Sequence, residues 1–98
     1  MIFNSPTVQK YILSGAKLVA SIRKSGYYYV GKKVGMKIGD KEFYGRVIAV
    51  EPISVLSRYV KYSGFRSVEE WLQEAEKLHK GRIDPKRFEI IVIEVFHK

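Results

Sequence analysis

The sequence predicts an α+β protein in which a few strands curl into a small barrel and helices cover its ends. Three observations carry this. The apolar periods fall in the order helix, strand, strand, strand, helix, helix, strand, without the strict alternation of a doubly wound sheet. A two-strand pattern at residues 34–50 is interrupted by a Gly-Asp turn, as in a hairpin. The run FEIIVIEVF, residues 88–96, is continuously apolar in its middle, which suits a central strand covered on both faces.

Each element has a local reason. In SPTVQKYILSG, Ser5 is an N-cap candidate and Pro6 takes the first helical position, where its missing N–H costs nothing. Val8, Tyr11 and Ile12 follow at helical spacing, and Gly15 is the stop. LVASI, residues 18–22, is strand-prone. Val34, Met36 and Ile38 alternate with Gly35 and Lys37, the period of a half-buried strand. After the turn at residues 39–42 comes FYGRVIAV, residues 43–50, in which Gly45 marks a bulge or a close approach and Pro52 ends the strand. ISVLSRYVKYSG places Val55, Leu56, Tyr59 and Val60 on one helical face, with Gly64 as the stop. SVEEWLQEAEKLHK opens on a capping box, Ser67 to Glu70, and carries an apolar stripe of Val68, Trp71, Leu72, Ala75 and Leu78. Trp71 therefore reads as core, and Glu69, Glu70, Glu74 and Glu76 as a solvated face.

The 98 residues fit one domain, residues 1–98, with no repeat and no linker. There is no cysteine, which excludes disulfides, thiolate metal sites and cysteine nucleophiles. His79 and His97 have no companions at ligand spacing, so no metal and no cofactor are expected. The first residues contain no long apolar run, so neither a signal peptide nor a membrane span is expected, and a cytoplasmic location is.

Charge points to a partner. The net charge is +8, and it is unevenly placed. Residues 1–39 hold Lys10, Lys17, Arg23, Lys24, Lys32, Lys33 and Lys37 with no acid, a balance of +7, which leaves +1 for the rest. Such asymmetry favours a surface facing a polyanion over a lysine-rich composition with matched acids. Within this segment lies RKSGYYYVGKK, residues 23–33, three tyrosines between two glycines with basic pairs outside. An exposed tyrosine can stack a base while flanking lysines hold phosphates, the way single-stranded RNA is read. In the alternative, one or two of the rings cap the core with their hydroxyls in water. As an edge strand, residues 27–30 would put Tyr27 and Tyr29 on one face and Tyr28 on the other.

The ordered set of motifs resembles the ASCH domain family of the PUA-like superfamily. YILSGAKLVASIRKS matches the family's opening helix, its Gly-x-Lys turn at Gly15 and Lys17, and a strand carrying a hydroxyl and an arginine, Ser21 and Arg23. Gly39-Asp40 matches a later turn, and GFRSVEEWL the entry to the last helix before a final apolar strand. The resemblance implies a small PUA-like β-barrel with two to three covering helices, and a cleft between the first helix and the barrel. It implies RNA binding there, with Lys17 and Arg23 in the cleft; joined to the basic tyrosine segment, this makes Lys17, Arg23, Lys24, Tyr27, Tyr28, Tyr29, Lys32 and Lys33 the candidate contacts to single-stranded RNA or structured loops. Some family members are instead amidohydrolases that deacetylate acetylated cytidine with a Lys, Thr and Glu triad. Lys17 matches that lysine, one residue further from the arginine than usual, and Ser21 stands at the threonine. The glutamate has no counterpart, because no carboxylate lies between Arg58 and Phe65. A lysine base or hydroxyl nucleophile needs a partner to tune it, so the expectation leans away from an enzyme. An acid-free surrounding leaves Arg23 free to grip phosphate, unless it is tied to Glu51 or Glu94 as a strut.

Overall fold

A computed structural model describes residues 1–97. The helix α1 spans Pro6–Leu13, and the strands are β1 (Leu18–Lys24), β2 (Lys33–Ile38), β3 (Lys41–Pro52) and β4 (Phe88–Phe96). The helix α2 spans Val68–His79. The four strands form one antiparallel sheet in the order β1-β4-β3-β2. It curls into a half-barrel, and the chain is a small α+β fold.

β4 is the central strand, as its sequence predicts. Ile91, Ile93 and Val95 enter a first core with Val19 of β1, Val34, Met36 and Ile38 of β2 and Val47 of β3. Ile90 and Val92 face a second core with Ala20, Leu56 and Trp71. α1 covers the first face through Val8 and Ile12, and α2 covers the second through Trp71. A strand buried on both faces reads as continuous rather than alternating apolar residues.

β2 and β3 form the expected hairpin, with Ile38 paired to Lys41 across Gly39-Asp40. Gly45 is a close approach and not the bulge. A Cβ there would stand 2.5 Å from the Glu94 carbonyl oxygen and 2.7 Å from Ile93. The register shift falls between Val47 and Ala49, where it lets the long β3 bend around the core.

The N-terminal residues extend the sheet beyond β2. Phe3 N–H donates to the Lys37 carbonyl at 3.3 Å, and Lys37 N–H donates to the Met1 carbonyl at 2.9 Å. Phe3 is thereby drawn into the first core.

One element differs from its prediction. Residues 53–62 are not an α-helix but two short 3-10 turns, Ile53–Arg58 and Val60–Tyr62. Neither has a side-chain cap, and β-branched Ile53, Val55 and Val60 weaken a helix of this length. The apolar positions still do what their pattern predicts, since Leu56 is buried and Val55, Tyr59 and Val60 pack on the second core.

The Ser67 half of the capping box is made: its hydroxyl accepts from Glu70 N–H at 3.1 Å. The acidic first turn of α2, Glu69 and Glu70, complements the helix dipole. Among the described residues no helix is long and apolar enough to cross a membrane. Among the described residues no group of three His, Cys, Asp or Glu could hold a metal ion.

Candidate nucleic-acid interface

β1 is an edge strand, and its side chains alternate between the two cores. Val19, Ser21 and Arg23 point to the α1 side, while Ala20 and Ile22 point to the α2 side. Arg23 occupies the seam between β1 and the N-terminal residues. Its Nε donates to Ser21 Oγ at 2.9 Å, and its Nη2 donates to the Ile2 carbonyl at 3.0 Å. The guanidinium lies 4.9 Å from the centroid of the Phe3 ring. These bonds use two of the five guanidinium N–H groups, and the other three have no partner among the described residues.

Among the described residues no carboxylate forms an ion pair with this cation; Glu89, its partner across the β1–β4 register, accepts instead from Gly26 N–H at 3.4 Å. Glu51 accepts from the Tyr59 hydroxyl at 3.1 Å, and Glu94 stands opposite Leu18 at the far end of β1. The tie to Glu51 or Glu94 is therefore not made, and Arg23 braces the N-terminal residues instead. Burial pulls the guanidinium below its ordinary value, offset in part by the nearby Tyr28. It stays protonated, as arginine does in proteins, so it is a partly desolvated charge with N–H groups to offer.

The tyrosine segment is a loop and not a strand edge. Gly26 and Gly31 bracket it at φ +95° and +93°, in the left-handed region that glycine enters without strain. No neighbour crowds either residue, so conformation and not space calls for glycine there. Gly31 N–H donates to the Val47 carbonyl at 2.7 Å, and Ser25 N–H donates to the Arg87 carbonyl at 2.8 Å. Both ends are thus fixed to the barrel. Between them Tyr27 and Tyr29 are 66% and 64% exposed, while Tyr28 is half-buried against the first core.

Lys32 organises the loop from within. Its Nζ donates to the Tyr27 carbonyl at 2.8 Å and lies 5.3 Å and 5.6 Å from the Tyr28 and Tyr29 ring centroids. Both contacts are in cation–π range. Arg23, Lys24, Tyr27, Tyr28 and Lys32 line one open depression at this end of the sheet. The structure therefore brings together five of the eight residues read from the sequence. Tyr29 is exposed beside them, and Lys33 is exposed at the start of β2.

Lys17 is elsewhere. It is exposed before the opposite end of β1, about 13 Å from Ser21 along the strand. Its carbonyl accepts from Val95 N–H, and it lines neither depression near Arg23. Ser21 is buried and its hydroxyl receives the Arg23 Nε–H.

A second, deeper cavity of about 270 Å³ opens on the other side of Arg23, between the start of α1 and α2. Ser5, Ser21, Arg23 and Lys24 face Trp71, Ala75 and Leu78 across it. Sequence reasoning placed no functional residue on α2. No sequence signal marks this wall: the apolar stripe of α2 reads as core, although its last member, Leu78, is 49% exposed in the structure.

Comparison with known proteins finds a viral relative. It is 60% identical over 95 residues to uncharacterized protein 105 of Sulfolobus islandicus rod-shaped virus 1, covering 95% of this chain and 90% of that protein. The chain belongs to the family of that viral protein. No family model matches it, and no solved structure matches it. The alignment with protein 105 spans nearly the whole chain, so the residues of the half-barrel and of both depressions fall within the matched length.

Proposed function

We propose that this protein is an RNA-binding module of ASCH/PUA-like type. The observation that carries the reading is the depression in which Arg23 and Lys24 meet the tyrosine loop and Lys32. Two exposed rings, Tyr27 and Tyr29, offer stacking faces beside Arg23, Lys24 and Lys32, with Glu89 reaching the loop at Gly26 N–H. Phosphates meet Arg23, Lys24, Lys32 and Lys33, and bases stack on the tyrosines. Lys17 adds a distant positive charge rather than a contact in this depression.

The amidohydrolase reading has less support. Lys17 and Ser21 do not line one cavity, and the Ser21 hydroxyl is engaged by Arg23. A hydroxyl without a nearby base is not activated for attack.

Fluorescence anisotropy with single-stranded and hairpin RNA over a salt series tests the proposal. Log affinity should fall linearly with log salt. Tyr27→Ala and Tyr29→Ala should each weaken binding about fivefold or more, since stacking contributes about 1–3 kcal/mol per base. Absence of salt-sensitive binding to either RNA would refute the function. Equal affinity for single-stranded DNA would remove the RNA specificity and leave a general single-strand binder.

A further inference from the structure

The cavity between α1 and α2 has features that polymer binding in the tyrosine depression does not use. The first is an orphaned hydroxyl. Ser5 is only 3% exposed, and its Oγ is the buried side-chain polar atom without a hydrogen-bond partner among the described residues. Ser5 sits at the N-cap of α1 with suitable extended backbone, yet its side chain caps nothing. The second is the open first turn of α1. Gln9 N–H reaches the Ser5 carbonyl, Pro6 has no N–H, and no side chain caps the Thr7 or Val8 amides. The third is Arg23, whose free N–H groups border the same cavity, with Lys24 beside it.

These groups share one chemistry. A buried hydroxyl, helix N-terminal amides and an unneutralised guanidinium all suit a phosphate. The opposite wall suits something planar and apolar. It consists of Trp71, Ala75 and Leu78 of α2 with Phe88 of β4, and His79 stands edge-on to Phe88 at 4.6 Å. Glu74 on the same helix supplies an acceptor for a base or sugar donor. The volume of about 270 Å³ falls just below the roughly 300–1,000 Å³ of pockets for drug-sized ligands. It fits one nucleotide and not a stretch of polymer.

We propose that this cavity binds a single nucleoside monophosphate, with the phosphate at Ser5 and Arg23 and the base against the Trp71 wall. The nucleotide is either free or the 5′-phosphorylated end of a strand. The site shares Arg23 and Lys24 with the RNA reading but otherwise rests on its own residues, so the two can fail separately.

Isothermal titration with adenosine 5′-monophosphate and with adenosine tests the phosphate requirement. A pair of oligonucleotides, one with a 5′-phosphate and one with a 5′-hydroxyl, tests the strand end. The phosphate should strengthen binding at least about tenfold in one pair or both, and the responding pair identifies the source. Ser5→Ala should remove most of that preference without lowering Tm, because the hydroxyl bonds nothing in the free protein. Ala75→Leu, which fills the cavity on a helix that tolerates leucine, should abolish it while Tyr27-dependent RNA binding persists. No phosphate preference in either pair, or a preference that survives both substitutions, overturns the proposal. Loss of RNA binding in Tyr27→Ala with the phosphate preference intact separates this site from the polymer surface.

Discussion

Arg23→Lys separates a binding arginine from a bracing one. Arginine here makes two hydrogen bonds, to Ser21 Oγ at 2.9 Å and to the Ile2 carbonyl at 3.0 Å, and lies against the Phe3 ring. Lysine keeps the charge but, as a single point donor, satisfies one of these contacts and loses the planar stacking. A hydrogen bond from a charged group is worth about 1.5–3 kcal/mol, and the partial exposure of this seam places the loss at the lower end, about 1–2 kcal/mol. For a chain of this size that is a fall in Tm of about 5–15 °C. Affinity should drop as well, about fivefold to tenfold, because the free N–H groups that could fork onto a phosphate are gone. Lys24→Ala is the control. Lys24 is exposed at the end of β1, so its removal should leave Tm nearly unchanged and reduce the salt slope by about one. The measurements are thermal melts and RNA titrations at matched salt. If Arg23→Lys lowers Tm while affinity stays unchanged, Arg23 is only a brace, and its place in the interface is wrong. If neither changes, the seam with Ile2 and Phe3 is wrong too.

Two further predictions concern the scaffold. Gly45→Ala should destabilise by about 1–3 kcal/mol or more, because its Cβ would press on the Glu94 backbone at 2.5 Å, and a denaturant melt with an unchanged m-value checks this. Ser67→Ala should cost about 1 kcal/mol through loss of the bond from Glu70 N–H, read from the same melts together with helical circular dichroism.

Much of the fold was legible because its signals are local. The 2-residue period of β2, the continuous apolar run of β4 and the Ser67 cap each lie within a dozen neighbouring residues, and each holds in the structure. The segment at residues 53–62 shows the limit of periodicity. Its apolar spacing correctly named the buried side, but spacing does not distinguish an α-helix from successive 3-10 turns when both present the same residues inward. The bulge was expected, if anywhere, at Gly45 and lies instead between Val47 and Ala49. Glycine answered there to a neighbouring backbone, and the register shift was set by a twelve-residue strand bending over the core.

The candidate site was legible only on the side where sequence neighbours are also spatial neighbours. Arg23, Lys24 and Tyr27–Tyr29 come together because one loop, fixed at both ends, folds them around Lys32. Lys17 left the group for the same kind of reason: six residues of extended β1 carry it to the other end of the sheet from Arg23. The second cavity has no local signature at all. Ser5 looks in sequence like an ordinary helix cap, and Trp71 like an ordinary core residue, and each assignment is correct as far as it goes. They become two walls of one cavity because β1 is an edge strand, so nothing in the sheet separates the helix on its first face from the helix on its second. An edge strand leaves backbone and side chains without a neighbour. Here Arg23 fills part of that gap by holding the N-terminal residues, and the groups it does not satisfy, its own free N–H bonds and the Ser5 hydroxyl, border the part that stays open. The same residue thus closes the barrel seam and faces both depressions, which is why its chemistry as an arginine matters more than its charge.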